Sequence, residues 1–102
     1  MKESYKIQAE LLNAILRQIE LYSSGKKKYP NLVSALGVQI SGLMDDQIDL
    51  HSRLRANWRV LEEVNALALD ENSLSPLNEH QCLVDRTLEN IITIANTELE
   101  KY

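Results

Sequence analysis

The feature that most restricts this chain is a seven-residue repeat of apolar side chains between Val33 and Ala68. Val33, Leu36, Ile40, Leu43, Gln47, Leu50, Leu54, Asn57, Leu61, Val64 and Ala68 follow one another at alternating spacings of three and four, and nine of the eleven are apolar. A strand turns to its other face at every residue, so only a helix places such a series on one side. A seam of this length has to be covered along its whole extent by other helices. Two glycines, Gly37 and Gly42, each weaken a helix by about 1 kcal/mol relative to alanine. Residues 31–70 can therefore form one bent helix or two, with a break at Ser41-Gly42 or at Asp45-Asp46.

Both flanks continue the helical pattern. Tyr5, Ala9, Leu12, Leu16 and Ile19 form a stripe from Ser4 onward, widened by Leu11, Ile15 and Tyr22. Gly25 is the expected terminator, because glycine accepts the left-handed backbone that closes a helix. Lys26-Lys27-Lys28 follow the negative end of its dipole, and Tyr29-Pro30-Asn31 break and restart the chain. After Asp70-Glu71-Asn72-Ser73, the Ser75-Pro76 pair reads as a cap and first helical residue. Leu77, Val84, Leu88, Ile91, Ala95 and Leu99 then mark a last helix. The expected fold is all-α: one small antiparallel bundle of three or four helices with one long central helix. With 102 residues, three Gly, two Pro, one Trp and no Phe, the chain suits a single domain packed with Leu, Ile, Val and Ala.

Charge is divided along the chain. Residues 1–59 carry nine Lys/Arg and six Asp/Glu, a net +3, whereas residues 60–102 carry two and nine, a net −7. An acidic half repels phosphate backbones and attracts basic partners, and equally it keeps a surface soluble. The charged opening Met1-Lys2-Glu3 does not read as a signal peptide, and no apolar run approaches the ~18 residues of a membrane span. A single cysteine, Cys82, cannot form an internal disulfide and fits a reducing compartment. It reads as a small buried residue. Cytoplasmic localisation, no nucleic-acid partner and no membrane association are the expectations.

Patterns that carry chemistry are incomplete. Asp45, Asp46 and Asp49 match the DDxxD spacing with which helical prenyl-diphosphate enzymes hold magnesium, but that chemistry also needs a second carboxylate cluster and a large cavity. A helical nucleotide pyrophosphatase needs paired acids three apart on two helices. Asp46 and Asp49 supply one pair, while Glu62 and Glu63 are followed by Asn65 and Ala66. A di-iron bundle needs Glu-x-x-His, and neither His51 nor His80 has a Glu three residues before it. Neither histidine belongs to a local nucleophile pattern. Arg17, Arg53, Arg55, Arg59 and Arg86 are the residues a mutase of this size would use to grip carboxylates. The basic stretch Arg53–Arg59 sits mid-helix, where Arg59 can pair with Glu62 and Glu63, so a DNA-recognition helix is disfavoured. No catalytic residue, cofactor or metal is expected.

The most distinctive segment is Ser52–Asp70, SRLRANWRVLEEVNALALD, in which Trp58 reads as a core anchor. An Arg-flanked Leu and Trp, a Leu-Glu-Glu, an Ala-Leu-Ala-Leu-Asp, a polar break and a final helix together resemble small helical immunity proteins of bacterial polymorphic toxin systems, including contact-dependent growth inhibition. The resemblance spans residues 52–99 and transfers no functional residue. It implies a protein that binds and neutralises a toxin domain, often a nuclease. An acidic surface suits a basic nuclease cleft and accelerates encounter by electrostatic steering. Ranked by charge density, the candidate partner-binding residues are Asp45, Asp46 and Asp49; Glu62, Glu63, Asp70 and Glu71; and Asp85 with Glu89. The alternatives are a self-associating adaptor or secretion chaperone that dimerises through the heptad seam, and a small helical enzyme of chorismate-mutase size.

Overall fold

A computed structural model describes residues 3–43 and 48–102, with side chains from residue 6 onward. Helix α1 spans Glu3–Ser23, α2 Tyr29–Ser41 and α3 Ile48–Asp70; a 3₁₀ turn at Asn78–His80 leads into α4, Gln81–Leu99. No strand occurs among the described residues. Each helix packs on its neighbours in the chain, and α1 closes the ring against α4. Cross-helix contacts fix the antiparallel sense. The Tyr29 hydroxyl donates to the Leu61 carbonyl at 2.7 Å, and Trp58 Nε1 donates to the Val33 carbonyl at 2.7 Å. Asn90 Nδ2 reaches Asn57 Oδ1 at 3.4 Å between α3 and α4.

The heptad seam is divided between two helices. α2 ends at Ser41, where the Gly42 N–H bonds to the Val38 and Gln39 carbonyls. The other candidate break, Asp45-Asp46, lies outside the described residues, and the expected one at Ser41-Gly42 is present. The phase survives it: all nine apolar seam residues are buried, from Val33 to Ala68. Asn57 is half-buried, its amide donating to the Arg53 carbonyl at 2.9 Å, and Gln47 lies outside the described residues. Inside this single chain none of the nine apolar seam residues is left exposed.

Both expected helix ends at the α1–α2 side of the chain are present. Gly25 has φ 80°, and the Lys26 N–H reaches back to the Leu21 carbonyl at 2.8 Å. That is the left-handed closure glycine permits at low cost. Asn72 does the same for α3 with φ 59°, while the Ser73 N–H bonds to the Ala68 carbonyl at 2.9 Å. On α1 the stripe is centred one position away from the expected line: Gln8, Leu12, Ile15 and Ile19 are buried, whereas Ala9 and Leu16 are half-buried.

Two expectations about the last helix are corrected. α4 begins at Gln81 rather than at Pro76. Ser75 caps no helix; the Ser73 hydroxyl instead closes a turn in the connector, accepting from the Ser75 N–H at 3.1 Å and donating to the Ser75 carbonyl at 2.8 Å. Pro76 is buried, so it pins the connector to the end of the bundle instead of opening a helix. Cys82 is exposed rather than buried. Val84, Leu88, Ile91 and Ala95 form the buried stripe, and a residue two before Val84 points ~200° away from it.

Trp58 anchors α3 to α2. It is half-buried, and its ring packs where Gly37 leaves room: a Cβ on Gly37 would lie 2.8 Å from Trp58 Cζ2. A Cβ on Gly42 would meet nothing closer than 3.5 Å. Helix propensity alone favours alanine at position 37 by about 1 kcal/mol. The hydrogen-bonded indole cannot retreat without loss, and overpacking costs about 1–3 kcal/mol. Gly37→Ala is therefore expected to lower stability by about 1 kcal/mol net, and Gly42→Ala to raise it by about 0.5 kcal/mol. Urea midpoints of the two variants check the opposite signs.

Candidate functional site

The described acidic candidates lie on two helices and toward both ends of α3. Glu62, Glu63, Asp70 and Glu71 gather on the C-terminal half of α3 and just beyond it, all exposed. Asp49 stands in the first turn of the same helix, about 20 Å away along the axis at ~1.5 Å per residue. It is exposed and pairs with Arg53, Nε to Oδ2 at 3.2 Å. Asp85 and Glu89 are exposed on α4, and Asp85 Oδ1 accepts from Gln81 Nε2 at 3.0 Å. Asp45 and Asp46 lie outside the described residues, and with them most of the DDxxD motif and the Asp46–Asp49 pair.

The α3 cluster is arranged against the helix's own electrostatics. Anions are stabilised at a helix N-terminus and cations at its C-terminus. α3 ends on Asp70 with Glu71 next and has no basic residue in its last turn. Toward its start it carries Arg53, Arg55 and Arg59. Arg59 is within one turn of Glu62 and Glu63, yet no ion pair joins them. Arginine before glutamate is also the weaker order for a pair four apart. Among the described residues, ion pairs join only Arg53 to Asp49 and Lys101 to Glu98, leaving the four acids at the end of α3 unpaired. Leu67 and Leu69 are exposed between them.

The cavities do not gather chemistry. An open cleft of about 660 Å³ lies between the α1–α2 turn and the start of α4. Lys27 and Lys28 line one side, Asp85 the other, and Tyr22, Tyr29 and Leu88 also border it. Burial raises the Tyr22 phenol above its ordinary pKa; a hydrogen bond with Gln81 opposes that rise, and the Asp85 carboxylate adds to it. The Tyr29 phenol is raised much further, mainly by burial and then by the neighbouring Tyr22, whose ring centroid is 5.7 Å away. Both are protonated at neutral pH, and no histidine or cysteine borders the cleft. A second groove of about 360 Å³ runs between α3 and α4 beside Arg53, Asn57, Asn90 and Ile94.

The five arginines considered for a carboxylate pocket are dispersed. Arg17 is on α1 and Arg86 on α4, while on α3 Arg53 pairs with Asp49 and the Arg55 guanidinium lies 5.8 Å from the Trp58 ring centroid. His51 and His80 are half-buried near the starts of different helices. No group of three or more His, Cys, Asp or Glu that could hold a metal ion occurs among the described residues, nor does a helix long and apolar enough to cross a membrane. The order of charge along α3 is hidden when acids and bases are summed by half-chain, and it shows only once the ends of the helix are fixed. No family model, curated protein or solved structure matches the chain. Fold and surface together define it as an antiparallel four-helix bundle with a polarised outer helix.

Proposed function

We propose that this chain is a protein-binding inhibitor that docks a basic partner on the C-terminal half of α3. One observation carries the reading: Glu62, Glu63, Asp70 and Glu71 are exposed, unpaired and, at the helix end, placed where they oppose the dipole. Charges that lower a helix's stability are accounted for by what they bind. Leu67 and Leu69 add apolar area to the same end, so the surface offers both terms an interface needs: steering charge and water-excluding contact. The resemblance of residues 52–99 to immunity proteins supplies the class of partner, a toxin domain with a basic, nuclease-like cleft.

Two measurements test this together. Asp70→Lys with Glu71→Lys is expected to stabilise the isolated chain by about 0.5–2 kcal/mol, since each substitution converts an unfavourable dipole contact into a favourable one. The same variant, and Glu62→Lys with Glu63→Lys, should slow association with a toxin domain encoded beside the chain at least tenfold. In the parent, association should fall steeply with salt. A partner whose binding ignores both double variants would eliminate the acidic-surface reading.

A further inference from the structure

Apart from its buried seam, α3 carries a second one on its outer side. Ile48, Ser52, Arg55, Arg59, Glu62, Ala66 and Leu69 recur at spacings of four and three, the heptad rhythm that keeps a helix face turned toward a partner helix. All are exposed except the half-buried Arg55, and the two ends are the most apolar: Ile48 is 72 % and Leu69 46 % exposed. Read from either end, the series has the same order of size: large apolar, small, charged. The charge reverses about Arg59, with Arg55 on one side and Glu62 and Glu63 on the other.

A face with that symmetry complements itself. We infer that a second copy of this chain docks on the outer face of α3, antiparallel, about a two-fold axis near Arg59. In that arrangement Arg55 of each copy meets Glu62 of the other. The two Arg59 side chains flank the axis, each turned diagonally, about one turn along, toward Glu62 and Glu63 of the other copy rather than toward its twin. Ser52 meets Ala66, allowing close approach, and Ile48 comes against Leu69. A two-fold interface uses one patch twice, so every favourable contact is made in duplicate. The intrahelical pairing that would compete, Arg59 with Glu62 or Glu63, is not formed. α3 is 23 residues long, about 33 Å at ~1.5 Å per residue. A single helix pair of that length sits at the small end of interface sizes, so the dimer is weak and reversible. Such a dimer needs only the charge order on α3 and forms whether or not a toxin partner exists.

Sedimentation of the pure chain from micromolar to millimolar concentration tests it. The parent should pass from monomer to dimer, less readily as salt is raised. Arg55→Glu with Arg59→Glu gives an all-acidic face, and Glu62→Lys with Glu63→Lys an all-basic one. Each should raise the dissociation constant at least tenfold, with the helical circular dichroism unchanged. Mixed in equal amounts, the two variants should associate again as a heterodimer. Because Arg55 stacks on Trp58, Arg59→Glu alone serves as a second acidic variant should the double one lose helicity. A parent that stays monomeric at millimolar concentration overturns the inference, as do variants that dimerise like the parent or a mixture that does not associate.

Discussion

Trp58→Ala should unfold more of this protein than any charge substitution on its surface. Removing a large packed aromatic side chain costs about 3–5 kcal/mol, a large share of the roughly 5–15 kcal/mol that holds a domain folded. Three effects coincide. The indole no longer fills the space opposite Gly37, the N–H bond to the Val33 carbonyl at 2.7 Å disappears, and Arg55 is deprived of the ring it stacks on. The first two act directly between α2 and α3, so the seam on both helices is loosened. Trp58→Phe separates packing from hydrogen bonding: it keeps most of the ring and forfeits about 1 kcal/mol for the bond. A melting temperature lower by more than about ten degrees for Trp58→Ala, against a few degrees for Trp58→Phe, is the expected pattern. Equal decreases in the two variants would show that the hydrogen bond, not the ring, joins the helices.

Alkali should unfold the protein, and Tyr29 should be the largest single reason. Its ring is 2 % exposed and its hydroxyl donates to the Leu61 carbonyl, so the folded state holds the phenol proton far more tightly than the ordinary value of 10.0. Below that value both folded and unfolded chains keep the proton, and its contribution is fully present. Above it the unfolded chain releases the proton while the folded chain retains it. Stability then falls by about 1.4 kcal/mol per pH unit until the raised folded pKa is passed. Tyr22, raised in the same direction, adds to the slope. Tyr29→Phe should start about 1 kcal/mol less stable at neutral pH for want of the hydrogen bond. It should then lose less with alkali, so the two curves cross at about pH 11. Urea unfolding across that range measures both; parallel curves would mean the phenolate finds an accessible folded conformation.

The helices are legible in the sequence because burial repeats. The nine apolar residues of the seam mark a helical face whether or not the chain breaks at Gly42, since a break of this kind preserves phase. Gly25 is legible as a terminator because a left-handed residue is nearly glycine's own; Asn72 does the same job with a residue equally at home in any loop. The start of α4 is hidden for a physical reason. A Ser-Pro pair has the same appearance whether the serine caps a helix or, as here, lies in a connector turn closed by Ser73, with Pro76 buried. Gln8 escapes notice as a core position because a pattern of apolar residues admits no amide. The acidic candidates can be picked out one at a time, but their surroundings cannot: Asp85 borders a tyrosine-lined cleft, Asp49 is paired with Arg53, and four acids without ion pairs follow one another on the C-terminal half of α3 and just beyond it.

The ring order of the bundle has a kinetic consequence. Each of the first three junctions joins helices already adjacent along the chain, and only the closure of α1 on α4 brings distant segments together. Small all-helical domains whose contacts are mostly local fold in microseconds to milliseconds. Such a chain can be ready almost as soon as it leaves the ribosome. For an inhibitor of the kind proposed, such folding shortens the interval between synthesis and readiness to bind.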